Sequence, residues 1–266
     1  MRFNPWILFG RIWLGIAYTF MFLPLIVLVL FSVQKNRFPG FPLQGFTLQW
    51  YNKLFADGNL IAALGHTMII SPAAATVATG IAFLAAYAIN RFDFRGKSLL
   101  LGVSTLPILI PPLILGVGFL GLLSRVHLSG SLFAVFLTHV VLVVAPALAI
   151  IQLRLAQMPA SLEEAAWDLG ATELQTVKKV VVPFAAPGIF GAWLLAFTFS
   201  FDEFIIAWFV SGFQPTLPVA IYSVLVASID PSLNAIGTIV FAISCIVLVA
   251  LELLLLPYLA RGRQGS

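Results

Sequence analysis

The sequence predicts an all-α integral membrane protein with six transmembrane helices. Three observations carry that prediction. The 266 residues are 61% hydrophobic and 9% charged, with mean hydropathy +1.06, against roughly 25% charged and 45–50% apolar in an ordinary soluble domain. A water-soluble fold would have to expose much of that apolar surface, so lipid is the solvent for most of the chain. The sparse charges bound long uncharged runs at 12–34, 58–90, 98–124, 126–153, 180–201, 204–229 and 231–251. Those runs lack the apolar–polar alternation of barrel strands, and a span needs about 20 apolar residues, so they read as helices. Lastly, the basic residues segregate as an even number of crossings requires.

The runs divide into spans at about 12–33, 62–90, 99–123, 131–153, 187–209 and 233–257. The first exceeds the 7–15 apolar residues of a signal peptide and no small-x-small site follows it, so it is read as a membrane helix. Between Phe209 and Ser232 lie Gly212, Pro215, Pro218 and Pro231. That stretch reads as a loop carrying one short helix near 217–228, too short to cross. Asp202 and Glu203 then fall inside the fifth span. With the N-terminus inside, Arg2, Arg11, Arg91, Arg95, Lys97, Arg154, Lys178, Lys179, Arg261 and Arg263 are cytoplasmic. Only Lys35, Arg37, Lys53 and Arg125 are outside, so both termini are expected in the cytoplasm. The whole chain, 1–266, is expected to be one transmembrane domain.

Several functions drop out. The single cysteine, Cys245, excludes an intrachain disulfide, and the three histidines lack metal-site spacing. The net charge of +4 follows from membrane orientation, and no basic patch with interleaved aromatics calls for nucleic acid. Gly116-x-Gly118-x-x-Gly121 lies inside the third span, without the strand a dinucleotide fingerprint needs, and is read as helix packing. Gly96-Lys97-Ser98 lacks the partner glycine of a phosphate loop, since Arg91 stands there. No cofactor is expected, and any ATP-driven engine must sit on another polypeptide.

The long inside loop, 154–186, is the most informative segment. Ser161 and Glu164 have the spacing of a capping box, Gly170 suits a left-handed helix end, and Thr172 with Gln175 forms a second box. Pro183 marks re-entry into the membrane, so two short helices joined near Gly170 are expected. Small Ala165 and Ala166 permit close approach to a partner. Leu162, Trp167 and Leu169 are the expected anchors, flanked by Glu163, Glu164 and Asp168, a composition suited to a helix in a groove.

This segment resembles the EAA loop of ABC-importer permease subunits, patterned E-A-A-x3-G-x9-I-x-L-P. Glu164, Ala165, Ala166, Gly170, Val180, Val182 and Pro183 fill its positions at the family's spacing, valines standing for Ile and Leu. The resemblance implies a type I importer (MetI-like) transmembrane domain whose loop couples to a cytoplasmic ATPase. Beyond the loop, the chain is similar to the second permease subunit of the spermidine/putrescine class of importers. Gly45-Phe46-Thr47 through Trp50-Tyr51, Arg91 through Lys97, Phe197 to Phe204, and Leu217-Pro218 with Pro231 and Asn234-Ala235 carry that similarity. It implies a bacterial inner-membrane location and four kinds of neighbour. These are a second, dissimilar permease, two copies of an ATP-binding subunit, an extracytoplasmic solute-binding protein and membrane lipid.

Asp202 and Glu203 would lie about 20 Å along the fifth helix. A charge at mid-membrane costs on the order of 2.5–3.5 kcal/mol on the insertion scale, so such residues face a cavity or a partner. One reading is an anionic lining for a cationic solute, helped by Trp208 or Trp50 through cation–π contact. The other is a polar pair joining two permeases, or acids at the outer interface. Adjacent acids on one helix cannot share a catalytic site, which argues against an intramembrane hydrolase, and no carbonyl filter or charged ring suggests a channel. Polyamine permeases often carry an acid after the third-span proline, whereas here Pro111 is followed by Pro112. Related permeases carry aminophosphonates, opines, amino acids or thiamine. Glu252 is expected to snorkel or pair at the inner interface.

Overall fold

In a computed structural model that describes residues 5–38, 40–227 and 231–263, the chain is all helix apart from one isolated bridge, Gln34 with Phe46. The helices are α1 Pro5–Ser32, α2 Gln49–Ala56, α3 Gly58–Arg91, α4 Lys97–Leu109, α5 Pro112–Arg125 and α6 Leu132–Leu155. They continue with α7 Ser161–Asp168, α8 Glu173–Thr176, α9 Val182–Phe201, α10 Ile205–Val210, α11 Leu217–Ala227 and α12 Ser232–Arg263. Among the described residues four helices are long and apolar enough to cross a membrane, or five if α4 and α5 count as one bent span. This is a multi-pass membrane protein.

Two compact units divide the chain: Met1–Ile61 with Ile221–Val247, and Ala62–Ala220 with Leu248–Ser266. In the first, the connection after α1 is closed by main-chain bonds from Lys35 N–H to Gly45 O (3.0 Å) and Thr47 N–H to Val33 O (2.7 Å). Trp50 donates its indole N–H to Gln34 O at 2.7 Å, and the Tyr51 and Ser32 hydroxyls meet at 2.8 Å. The Gly45–Tyr51 motif thus folds its own loop. Gly237 lies close under Leu28 of α1, where an added Cβ would meet a leucine methyl at 3.2 Å.

The second unit packs on small residues. Ala74, Ala78, Ala82 and Ala86 recur every four positions on α3 and are fully buried, the spacing that puts side chains on one helix face. Ala82 and Ala86 join Ala147, Leu148 and Ile151 of α6 with Ala185 and Ala192 of α9 in one core. A second core gathers Ile70, Leu123, Ala134, Val135, Ala207, Val210 and Val219. Gly116 admits the Phe209 ring where a Cβ would clash at 2.5 Å, while Cβ atoms on Gly118 and Gly121 would meet nothing. Within this chain it is the first glycine of that motif that admits close packing.

Four expectations need correction. The span at 99–123 is not one helix: α4 and α5 meet at 106° across Ile110–Pro111. Pro111 and Pro112 remove two successive donors, and a residue before proline is driven out of the helical region; Ile110 accordingly has φ −87° and ψ 130°. The fifth helix does not start at Pro187 or run to Phe209. It extends from Glu173 to Phe201, crossing a π turn at Val177–Val181 just before Pro183, where Val182 N–H bonds Val177 O five residues back. After Phe201 the chain breaks and α10 begins separately. Finally, the Ser161 capping box does not form. Leu162 N–H already bonds Pro159 O, and both Glu163 and Glu164 N–H bond Ala160 O, so the first turn begins upstream of Ser161.

Other expectations hold. The Thr172–Gln175 box forms with both bonds in place. Helix α11 is short, as the prolines required. The Glu252 side chain lies outside the described residues, as does Arg2.

Candidate functional site

Two segments carry the sequence-predicted site residues other than Trp50. In the first, α7 ends in a Schellman turn: Ala171 N–H reaches Ala166 O (3.0 Å) and Gly170 N–H reaches Trp167 O (2.8 Å). Gly170 takes φ +80° there, a conformation that suits glycine. The loop has two faces. Glu164, Ala165, Gly170 and Pro183 are exposed, Ala166, Val180 and Val182 are half-buried, and Leu162, Leu169 and Leu174 stand outward without cover. The loop thus presents three apolar side chains, Leu162, Leu169 and Leu174, among exposed polar ones.

The inward face corrects two assignments. Glu163, expected as an exposed flank, is buried, with Oε2 2.6 Å from Nε of Arg91. Trp167, expected as an outward anchor, turns in and receives the Arg91 guanidinium over its ring at 4.7 Å. Beside them Tyr87, Asn90, Met158 and Ala160 line a cavity of about 100 Å³. Nearby, Arg154 lies 4.1 Å over the Phe184 ring, donates from Nε to Phe184 O, and packs its stem against Gly188. Sequence reasoning gave Arg91 and Arg154 no role at the loop. The signal for Arg91 was present: a basic residue closing a long apolar helix, opposite a loop with two adjacent acids.

The second segment is the break after α9. Asp202, at the end of that helix, is exposed, whereas Glu203 is buried. Glu203 accepts from Ile206 N–H through Oε1 and from Ala207 N–H through Oε2, both at 2.8 Å. Its carboxylate thereby caps α10, where unpaired N–H groups and the helix dipole favour negative charge. His139 of α6 places Nε2 3.4 Å from Oε2, without hydrogen-bond alignment, and pairs Nδ1 with Ser200 Oγ at 2.8 Å. His139 was the missed member. A histidine in an uncharged run of a membrane protein needs a polar partner.

Of the aromatic candidates, Trp208 is half-exposed and stacks on Phe204. Trp50 belongs to the first unit, where its indole N–H is occupied by Gln34 O. Asp202, Glu203 and Trp208 therefore share one segment, and Trp50 serves its own loop.

Among the described residues, four long apolar helices, or five with the bent pair, make this a membrane-embedded component. The chain belongs to the family of binding-protein-dependent transport system inner membrane components, whose family model matches residues 78–263. It is similar to the spermidine/putrescine transport system permease protein PotC of Haemophilus influenzae, 34% identical over 240 residues covering 90% of this chain and 93% of that one. The putrescine transport system permease protein PotI of Escherichia coli is 33% identical over 245 residues, 89% and 86% of the two chains. A solved bacterial ABC transporter involved in import of the acidic polysaccharide alginate shares the fold at TM-score 0.75 and 17% identity, covering 95% of this chain and 99% of that one. The protein is an ABC-importer permease subunit, a non-catalytic component.

Proposed function

We propose that the chain crosses the membrane six times with both termini in the cytoplasm, α4 with α5 forming the third crossing and α12 the last. Its two units then make one permease domain. It pairs with a second, dissimilar permease, and the loop at 154–186 docks on one of two ATP-binding subunits. A solute-binding protein delivers the cargo from outside. What supports the docking role is the outward set of Leu162, Ala165, Leu169 and Leu174 around Glu164 and Gly170. ATP-driven closure of the partners rocks the permeases between states that bind solute differently, which is what moves it.

The solute is a small cationic amine such as putrescine or spermidine. The observation that carries this reading is the division of labour at the helix break: Glu203 is held by two backbone donors, and Asp202 is left exposed. Asp202 supplies the anionic contact and Trp208 an aromatic face, Glu203 fixes the break, and Trp50 shapes the outer loop. The relatives named for spermidine and putrescine agree with a cationic cargo. Pro112, standing where a second acid would serve a dication, favours a second reading, another small organic solute such as an aminophosphonate, opine, amino acid or thiamine.

Uptake of radiolabelled putrescine by cells expressing the full importer tests the choice. Asp202→Asn should cut uptake at least tenfold with the subunits still co-purifying. Unchanged uptake ends the charge-lining role, and no putrescine uptake by the wild type turns the assignment to the second reading.

A further inference from the structure

Helix α7 is eight residues long, and its outward side chains leave only its inner face to hold it to the spanning helices. The charged contact on that face is Glu163 with Arg91, the last residue of α3. Helix α3 has 34 residues, about 50 Å at 1.5 Å per residue. The turn just before Arg91 is fixed, because Ala86 and Ile89 are buried in the core with Ile151 and Leu155 of α6, Val181 of the π turn and Ala185 of α9. Displacement of α7 thus meets the end of a long, well-packed helix through one ion pair.

The chemistry at this joint suits arginine in particular. Nε engages Glu163 while the flat guanidinium lies over Trp167, two contacts made at once by one planar group. A buried carboxylate that loses its cation is left uncompensated, so the pair resists separation. The cavity lined by Tyr87, Asn90 and Met158 leaves room beside it for the guanidinium to swing. The pair therefore holds α7 against α3 while allowing the angle between them to change.

We propose that Arg91 and Glu163 form the mechanical joint between the loop and the spanning helices, Arg91 acting as a positioning residue for ATP coupling. This rests on the reading of α7 as the ATPase-facing helix. The joint is distinct from docking: Leu162, Leu169 and Leu174 make the surface, and Arg91 with Glu163 transmits what arrives there.

The test uses the complete importer in liposomes, with its second permease, ATPase subunits and binding protein as purified. Two quantities are read, the ATPase subunit retained on purification and the factor by which binding protein stimulates ATP hydrolysis. Arg91→Gln and Glu163→Gln should retain the ATPase subunit and basal hydrolysis but lose at least fivefold in stimulation. The exchange Arg91→Glu with Glu163→Arg should regain at least half of it. Arg91→Lys, which keeps charge without the fork, should fall between. Unchanged stimulation in the single variants, an exchange no better than either, or loss of the ATPase subunit overturns the proposal. Should the neutral variants fail to accumulate, Arg91→Lys decides by the same stimulation factor, full stimulation overturning the joint. Failure of the docking reading shows separately, as an ATPase subunit still retained by Leu169→Glu.

Discussion

Two pairs of adjacent acids, Glu163–Glu164 and Asp202–Glu203, solve one problem in different ways. Glu163 and Glu164 are neighbours on α7, pointing about 100° apart, while Asp202 and Glu203 sit in the break between α9 and α10; in each pair one carboxylate is buried and satisfied and the other is left exposed. The partners differ. Glu163 reaches a cation on a distant helix, whereas Glu203 is met by N–H groups of the helix that follows it, with His139 nearby. The first pair links two elements and the second shapes one. A long-range link transmits displacement, and a local cap fixes where a neighbouring side chain points.

The largest effect expected is on the local cap. Glu203→Ala orphans two buried donors, each costing about 1–3 kcal/mol, and should lower the melting temperature of the detergent-purified subunit most. Glu203→Gln retains one acceptor and should lose about half as much. Equal losses would mean that the charge beside His139, more than the cap, holds the break.

Next comes the long-range link. Arg91→Gln strands a buried carboxylate, a change worth about 3–5 kcal/mol in closed interiors; partial hydration of Arg91 places the loss near the low end. Arg91→Gln should therefore destabilise less than Glu203→Ala in the same melt. The reverse order would show that the ion pair carries the unit's stability as well as linking its helices.

Gly170→Asp is smaller. An added Cβ at Gly170 meets no neighbour, and φ +80° costs Asp, which tolerates the left-handed region better than most residues, less than the roughly 1–2 kcal/mol of an ordinary L-residue. The Schellman turn should fray rather than the core, so the melt shifts slightly while binding-protein-stimulated ATP hydrolysis is lost with assembly intact. Stimulation that survives unchanged would remove the loop end from coupling.

How far the sequence reached follows the same division between near and far. Gly170's left-handed turn, the Thr172–Gln175 box, the shortness of α11 and the packing at Gly116 depend on residues close in sequence or on a single small side chain, and were legible. The bend at Pro111–Pro112 was visible as residues but not weighted, because hydropathy does not register missing donors. The run through Pro183 required a π turn that no spacing announces. Which of Glu163 and Glu164 turns inward depends on Arg91, far along the chain, and so was closed to periodicity alone. Glu203 is turned inward by the N–H groups of Ile206 and Ala207 close by, but only once the helix breaks after Phe201, which hydropathy does not announce.

The smallest structural effects belong to the two exposed acids, and they separate the pairs most sharply. Glu164 and Asp202 make no ion pair among the described residues, and Glu164→Gln and Asp202→Asn should each stay within about 0.5 kcal/mol of wild type in the melt, as surface substitutions usually do. Their functional effects should diverge. Glu164→Gln alters a side chain on the proposed docking face and should weaken retention of the ATPase subunit, whatever the solute. Asp202→Asn should leave that retention untouched and depress putrescine uptake, with a smaller loss for a neutral solute if one is carried. The same deficit from both variants, in retention or in uptake, would mean that the exposed acids share one role and that only their buried neighbours distinguish the two ends of the permease.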